Sequence, residues 1–358
     1  MARLMLCGDV MTGRGVDQIL PHPGDARLHE TWARSALRYV ELAEEANGPI
    51  EKPRDFAYIW GHALEEIERR APHARIANLE TAVTTSDDAW QGKGIHYRMH
   101  PGNVACLAAA RLDCCVLANN HVLDWGRGGL AETLATLRGA GIRHAGAGRD
   151  ADEAGAPAVL ELSAGGRVLV VGAAFESSGV PPQWAAATGA SGVNLVRDPS
   201  PAGARALVAA AQAVRKPTDL LVVSIHWGDN WGYAIDPGER AFAHALVDAG
   251  VDIVHGHSSH HGKAIEVHAN RPILYGCGDL VNDYEGIEGE EVYRPDLRMI
   301  YFVDIEPGAG LGRLQVVPFR ARRMRLERAS LQDRAWVAGL MDREARRFGA
   351  APAQVVVA

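Results

Sequence analysis

One ten-residue stretch, Leu117-Ala-Asn-Asn-His-Val-Leu-Asp-Trp-Gly126, gathers an amide pair, an imidazole, a carboxylate and an indole. The apolar run before it, Cys114 to Ala118, reads as a buried strand, and leucines at 130, 134 and 137 behind it have helical spacing. Asn119, Asn120, His121 and Asp124 therefore stand where a strand passes into a helix. In an open α/β sheet that edge is where ligands bind.

Four more apolar runs end in polar side chains of the same kind. They deliver Asp9, then Asn78 and Glu80, then His226, then His257 and His260. Carboxylate, amide and imidazole groups at separate strand ends suit a divalent cation. The candidate ligands are Asp9, Glu80, Asn120, His226, His257 and His260, expected to hold one ion per chain. Two segments, His121-Val-Leu-Asp124 and His226-Trp-Gly-Asp229, place a carboxylate three residues after a histidine. Such a carboxylate fixes the imidazole tautomer and raises its basicity, which makes two candidate acid/base units. The alternative is that Asp124 caps the following helix and Asp229 caps a turn.

Arg14, five residues after Asp9, offers a bidentate clamp for a carboxylate or phosphate, or else a surface salt bridge. Arg98 is a second candidate for that clamp. Trp90, Trp125, Trp184, Trp227 and Trp231 fall in expected loops or strand ends. Gathered, they would line a pocket for an apolar group on a peptide; separate, they are core edges. The candidate substrate contacts are Arg14, Asn78, Arg98, Trp125 and Trp227.

These groups need a scaffold. The chain has 358 residues, 47% of them hydrophobic, enough for a substantial core. Net charge is −7 with 15 histidines and no basic stripe, which argues against a nucleic-acid partner. No apolar run reaches membrane-spanning length. Met1 to Asp9 is too short for a signal-peptide apolar region, so a cytoplasmic location is expected. Cysteines 7, 106, 114, 115 and 277 are odd in number and mostly lie in or beside apolar runs, which favours reduced core thiols.

Strands are expected near 3–7, 74–80, 114–118, 168–174, 220–225, 251–254 and 272–275, with strand-like alternation over 297–330. Helices are expected near 57–70, 128–137, 202–214, 239–249 and 331–347. Proline-rich 15–56 reads as an insertion or lid with one helix near 30–46, and 84–103 as a second inserted loop. Glycine-rich 141–148 reads as a tight passage rather than a phosphate loop. Alternating β and α elements without a linker predict a single domain over 1–358.

The ordered segments Gly8-Asp9-Val-Met, Asn78-Leu-Glu80-Thr, Ala118-Asn-Asn-His121, Ser224-Ile-His226-Trp-Gly228, Gly256-His-Ser-Ser-His260 and Gly276-Cys-Gly-Asp279 resemble the calcineurin-like metallophosphoesterases. The resemblance is strongest to their CapA branch, named for capsular poly-γ-glutamate synthesis. It covers about residues 3–285 and implies an α/β fold, a four-layer αββα sandwich with a metal at the sheet edge. Met11 and Asn78-Leu-Glu80 depart from the wider superfamily, and Ser258-Ser259-His260 from the His-Pro-His run usual in the CapA branch, at positions usually held by ligands. One oxygen-rich site for Ca, Mg or Mn fits this set better than a two-metal clamp.

Three functions follow from the resemblance. The foremost is a metal-dependent acid/base enzyme on a peptide, epimerising a Cα in a lasso-peptide precursor with two His/Asp pairs. The second is a metal-dependent hydrolase of an amide, γ-glutamyl or phosphoester bond, with His121 as acid. The third is a non-catalytic accessory protein that holds metal and γ-glutamyl chains. The expected partner is thus a peptide or γ-glutamyl substrate; the oligomeric state is left open.

Overall fold

The computed structural model describes residues 1–163, 165–349 and 352–358. Among the described residues two large β-sheets carry the chain. The larger has nine strands, with the order Leu326–Arg328, Gly310–Ala321, Leu297–Glu306, Ala2–Val10, Ala74–Leu79, Cys114–Val116 and Arg143–Ala145. Asp279–Val281 pairs with the end of Ala2–Val10, and Val355–Val357 pairs with Gly310–Ala321. The smaller has six strands, in the order Ile265–His268, Arg271–Leu274, Ile253–His257, Leu220–His226, Arg167–Ala174 and Ala158–Glu161.

Side-chain alternation along these strands builds the layers. Leu4, Leu6, Ile76 and Val116 of the first sheet meet Val168, Val170, Leu220 and Val222 of the second in one core. The opposite face of the first sheet, with Met5, Cys7, Ala77 and Cys115, packs on the helices Leu37–Asn47, Ala63–Arg70 and Gly126–Gly139. The opposite face of the second, with Leu169, Val171, Leu221 and Val223, packs on Pro201–Val214 and Pro237–Asp248. The order is helix, sheet, sheet, helix, the four-layer αββα sandwich that the resemblance implied. All five cysteines are free and buried. Among the described residues no helix is long and apolar enough to cross a membrane.

The inserted segments differ in detail from expectation. Residues 15–56 carry two helices, Gly15–Ile19 and Leu37–Asn47, rather than one near 30–46. The second starts late because Arg27 and Ser35 form an isolated bridge upstream of it. Buried Asp17 ties this segment down by accepting from Gly24 N, His100 N and Asn103 Nδ2. The expected helix at 57–70 is a short 3-10 turn, Tyr58–Trp60, then Ala63–Arg70; Gly61, at φ +45°, separates them. The 84–103 loop contains a two-residue strand, Arg98–Met99, paired with Ala82–Val83.

The last helix, Leu331–Ala345, sends Val337, Leu340 and Met341 into the core between the sheets. It is fixed by a capping box between Ser330 and Asp333, and Arg294 and Arg320 also donate to Asp333. These donors hold the Asp333 carboxyl well below the usual carboxylate range despite its burial. Because the folded-state value is depressed, the stabilisation is complete above the unfolded value of about 4 and is lost as pH falls below it. Asp333→Asn is expected to cost about 2 kcal/mol at pH 7. Urea denaturation at pH 7 and pH 3 checks this: the gap between variant and parent narrows at the lower pH, and an equal gap at both would refute the account.

Candidate metal centre

The centre lies where the carboxyl ends of the parallel strands from both sheets converge. Register brings its members together. Asp9 is the cross-strand partner of Asn78 on one side and of Asp279 on the other. His226 pairs with His257, and Ser224 with His255. Along Ala2–Val10, the even-numbered Leu4 and Leu6 face the other sheet while Met5 and Cys7 face helices. In regular alternation Asp9 would follow Cys7 away from the site. A bulge between Cys7 and Asp9 inserts Gly8 without a partner, and the parity flips. Only glycine fits there, since a Cβ on Gly8 would collide with the Gly278 carbonyl.

A chain of hydrogen bonds sets the imidazole tautomers. His255 Nε2 lies 3.1 Å from the Cys7 carbonyl, which can only accept, so this nitrogen carries the hydrogen. His255 Nδ1 then accepts from the Ser224 hydroxyl at 2.9 Å, and Ser224 Oγ accepts from His257 Nε2 at 3.0 Å. His257 Nδ1 keeps a bare lone pair. His226 donates through Nε2 to the Asn120 side-chain oxygen at 3.0 Å, so its Nδ1 also carries a lone pair, met by a protein donor only at 3.5 Å, from Asn78 Nδ2. The two lone-pair nitrogens face each other at 2.8 Å. Burial drives both imidazoles well below their ordinary values and keeps them neutral. Facing lone pairs at that distance repel unless a cation lies against them. Asp9, His226 and His257 all present ligand atoms within 4.8 Å of one another, and the residues present therefore fit a divalent metal.

A second set, Asp9, His260 and Asp279, meets the same spacing and shares Asp9 with the first. Its members are already paired with each other: His260 Nδ1 lies 2.9 Å from Asp279 Oδ1, and Asn282 donates to Asp279 Oδ2 at 2.6 Å. That ion pair lowers the Asp279 carboxyl and raises the His260 imidazole, each against its own burial. Asp9 is different. Burial and the nearby Asp279 push its carboxyl up to about 7. Glu80, with Oε1 3.8 Å from His121 Nε2 and 3.9 Å from His226 Nε2, is likewise raised by burial and by Asp9. Glu80 borders both ligand sets and belongs to neither. The expected oxygen-rich site is thus, on its first side, two imidazole nitrogens and one carboxylate.

His121 stands at the rim. Its Nδ1 is 2.7 Å from Asp124 Oδ2, and Lys93 reaches Asp124 Oδ1 at 2.7 Å. Burial lowers the imidazole to about 4 even so. The His121–Asp124 unit is formed as expected. Asp124 does not cap the helix; its Oδ2 also accepts from Tyr97 N at 2.7 Å.

Other expected contacts take different positions. Asp229 is exposed and makes no hydrogen bond to His226, whose Nε2 is on Asn120 and whose Nδ1 faces His257, so the second His/Asp unit does not form. Arg14 is a bidentate clamp, but on the chain's own Asp283, with Glu30 as a second carboxylate partner. Arg98 donates to Ser86 O and Asp87 and lies over Trp125, so it fastens a loop. Trp125 and Trp227 are buried, with indole N–H groups on Tyr97 O and Tyr275 O, and do not line a pocket. Asn78 donates to Asp9 at 2.7 Å and accepts from Asn119, which makes it a prop for Asp9 rather than a substrate contact.

Several members have no assignment from sequence: Asp279, Lys93, Ser224 and His255. Ser224/His226 and His255/His257 are i, i+2 pairs on neighbouring strands, a period-two signal for one shared face. Lys93 lies in an irregular loop and has no such signal.

The sequence model of a family described as bacterial capsule synthesis protein PGA_cap matches residues 3–284. The chain belongs to this family. The matched span encloses every residue of both ligand sets and ends before the strands from Leu297 onward. Among family relatives, a Mycobacterium tuberculosis (strain CDC 1551 / Oshkosh) protein described as "Probable polyglutamine synthesis accessory protein" is 50% identical over 348 residues, covering 97% of this chain and 92% of its own. "PGA biosynthesis protein CapA" of Bacillus subtilis (strain 168) is 27% identical, covering 77% of this chain and 62% of that protein. Among solved structures, a 5'-nucleotidase precursor from Thermus thermophilus aligns over 89% of this chain and 54% of its own, with 14% identity and a TM-score of 0.46.

Proposed function

We propose that this chain is a metal-dependent hydrolase of γ-glutamyl amide bonds that serves the synthesis of a glutamate-polymer capsule. The observation that carries the reading is the asymmetry of the centre: beside a cation cradle at Asp9, His226 and His257 stands one neutral imidazole outside the ligand sets, His121, held by Asp124. The names of the relatives support the polymer, and the ligand chemistry supports the metal. Two imidazoles and a carboxylate favour Mn2+ or Zn2+ over Ca2+ and Mg2+. One ion per chain is expected to bind tightly, because the members of the second set already satisfy one another.

When bound there, a divalent cation supplies Lewis acidity toward the scissile carbonyl. The chain's own groups handle the protons. Asp124 orients His121 through Nδ1, which leaves Nε2 free toward Glu80. Nε2 takes a proton from the attacking water and returns it to the leaving amine, so one water is consumed and one carboxylate and one amine appear. His121 and then Lys93 hold the Asp124 carboxyl low against its burial.

Cα epimerisation of a peptide precursor calls for a second base on the opposite face, and exposed Asp229 does not prepare His226 for it. The test is to incubate the Mn2+-loaded protein with poly-γ-glutamate in D2O and examine the product by mass and chiral analysis. Shortened chains, each gaining one water, with no deuterium at Cα support the hydrolase. Deuterium at Cα in chains of unchanged length would establish the epimerase instead. Metal-dependent binding without either change would leave the accessory role.

A further inference from the structure

The cations near the centre differ in what they are free to do. Arg14 is engaged by Asp283 and Glu30, and Arg98 by Asp87. Arg298 is buried beside Asn282 and Asp279. Lys93 stands directly against the acid/base residue, and its side chain is 15% exposed, so a ligand can reach it.

An ammonium carries three hydrogens and no acceptor. Asp124 Oδ1 lies 2.7 Å from Lys93 Nζ, and Ile95 O accepts from it at 3.1 Å. The third polar neighbour is His121 Nδ1 at 2.9 Å. That nitrogen cannot accept while it serves Asp124. The Asp124 carboxyl is held low, so its Oδ2 only accepts, and at 2.7 Å it takes the Nδ1 hydrogen. Lys93 thus keeps one hydrogen without an acceptor among the described residues, at the Nδ1 edge of a ring whose Nε2 edge handles the protons. The backbone lets the ammonium follow a ligand. Gly92, at φ +79°, and Gly94 flank Lys93, and a Cβ on either would meet nothing within 4 Å. Gln91 and Ile95 beyond them are exposed, so the loop tip sends Lys93 inward and stands clear of the chain around it.

We propose that Lys93 determines specificity: it binds the free carboxylate on the carbon next to the leaving nitrogen, and so selects γ-linked over α-linked glutamate chains. In a γ-linked chain that carbon carries a carboxylate. In an α-linked chain the same carboxyl group is consumed in the next amide, and the free carboxylates lie two methylenes away. The carboxylate of a γ-linked chain is one carbon removed from the leaving nitrogen, just as Nδ1 is one carbon removed from Nε2. A substrate whose nitrogen meets His121 Nε2 therefore brings its carboxylate round to the ammonium at Nδ1. Ammonium and carboxylate form a charge-assisted hydrogen bond there, away from bulk water. The inference rests on the function proposed above for the nature of the chain.

The test is calorimetric titration of tri-γ-glutamate and of tri-α-glutamate into metal-free protein, so that neither turnover nor carboxylate–metal contacts contribute. The parent is expected to bind the γ-linked peptide about tenfold more tightly than the α-linked one. Lys93→Met should lose about that factor for the γ-linked peptide alone and bring the two level. Lys93→Arg keeps the charge and should keep the preference. Lys93→Gln serves in place of Lys93→Met if the latter's melting curve departs from the parent's. No binding of tri-γ-glutamate, equal binding of the two peptides by the parent, or a preference that survives in a folded Lys93→Met or Lys93→Gln would overturn the proposal. Binding as expected together with intact chains in the D2O experiment would remove the hydrolase alone.

Discussion

Asp9→Asn is expected to abolish stoichiometric Mn2+ binding while leaving the chain folded. Asp9 is the one residue common to both ligand sets, so its loss removes a charged donor from each. Changes to groups that merely support metal ligands cost about 10- to 100-fold in affinity, and loss of a shared anionic ligand should exceed that. The fold should survive, because Asp9 is fully buried beside other carboxyl groups and is pushed up to about 7 by that crowding. A neutral amide of the same shape relieves the repulsion and still accepts from Asn78 through its oxygen. Metal content after dialysis reads the affinity, and melting curves read the fold. The parent should gain about 2.7 kcal/mol with Mn2+ at a hundred times its Kd, the variant almost none. Stoichiometric tightly held metal in the variant would show that the cradle lies elsewhere.

His121→Gln should separate chemistry from metal binding. His121 belongs to neither ligand set, and its Nε2 stands 3.8 Å from Glu80, too far for a hydrogen bond to fix it. Loss of a general acid/base typically removes a factor of about 10² to 10⁴ from turnover. That fall in cleavage of poly-γ-glutamate is expected with metal content unchanged. His226→Ala, in contrast, should lose the metal first and the activity with it. Asp124→Asn should fall between parent and His121→Gln, because it disturbs orientation and leaves the base in place. A His121→Gln variant that cleaves at the parental rate, or that arrives without metal, would remove His121 from the chemistry.

The polar strand ends were legible because each follows an apolar run, and because both sheets present their carboxyl ends at one edge. Asp9, His226, His257 and His260 could be placed from that pattern alone. The partners of the arginines could not. Arg14 meets Asp283 across 269 positions of sequence, and nothing local in either segment announces the pair. Asp229 failed for a related reason. An i, i+3 spacing puts two side chains on one face of a helix or a tight turn, but His226 ends a strand, and the chain turns away through Gly228 at φ +72°. His121 and Asp124 share the same spacing within a turn that runs into a helix, and there the contact forms.

The bulge at Gly8 makes the whole centre depend on a count. A first strand of the same length that paired Gly8 in its turn would alternate perfectly and be more regular by any local measure. It would also swing Asp9 into the helical layer, among Met5 and Cys7, and leave His226 and His257 facing an empty wall. Grafting this centre onto another sandwich therefore means copying an irregularity, since transplanting every ligand in a flawless strand would deliver the right residues to the wrong side.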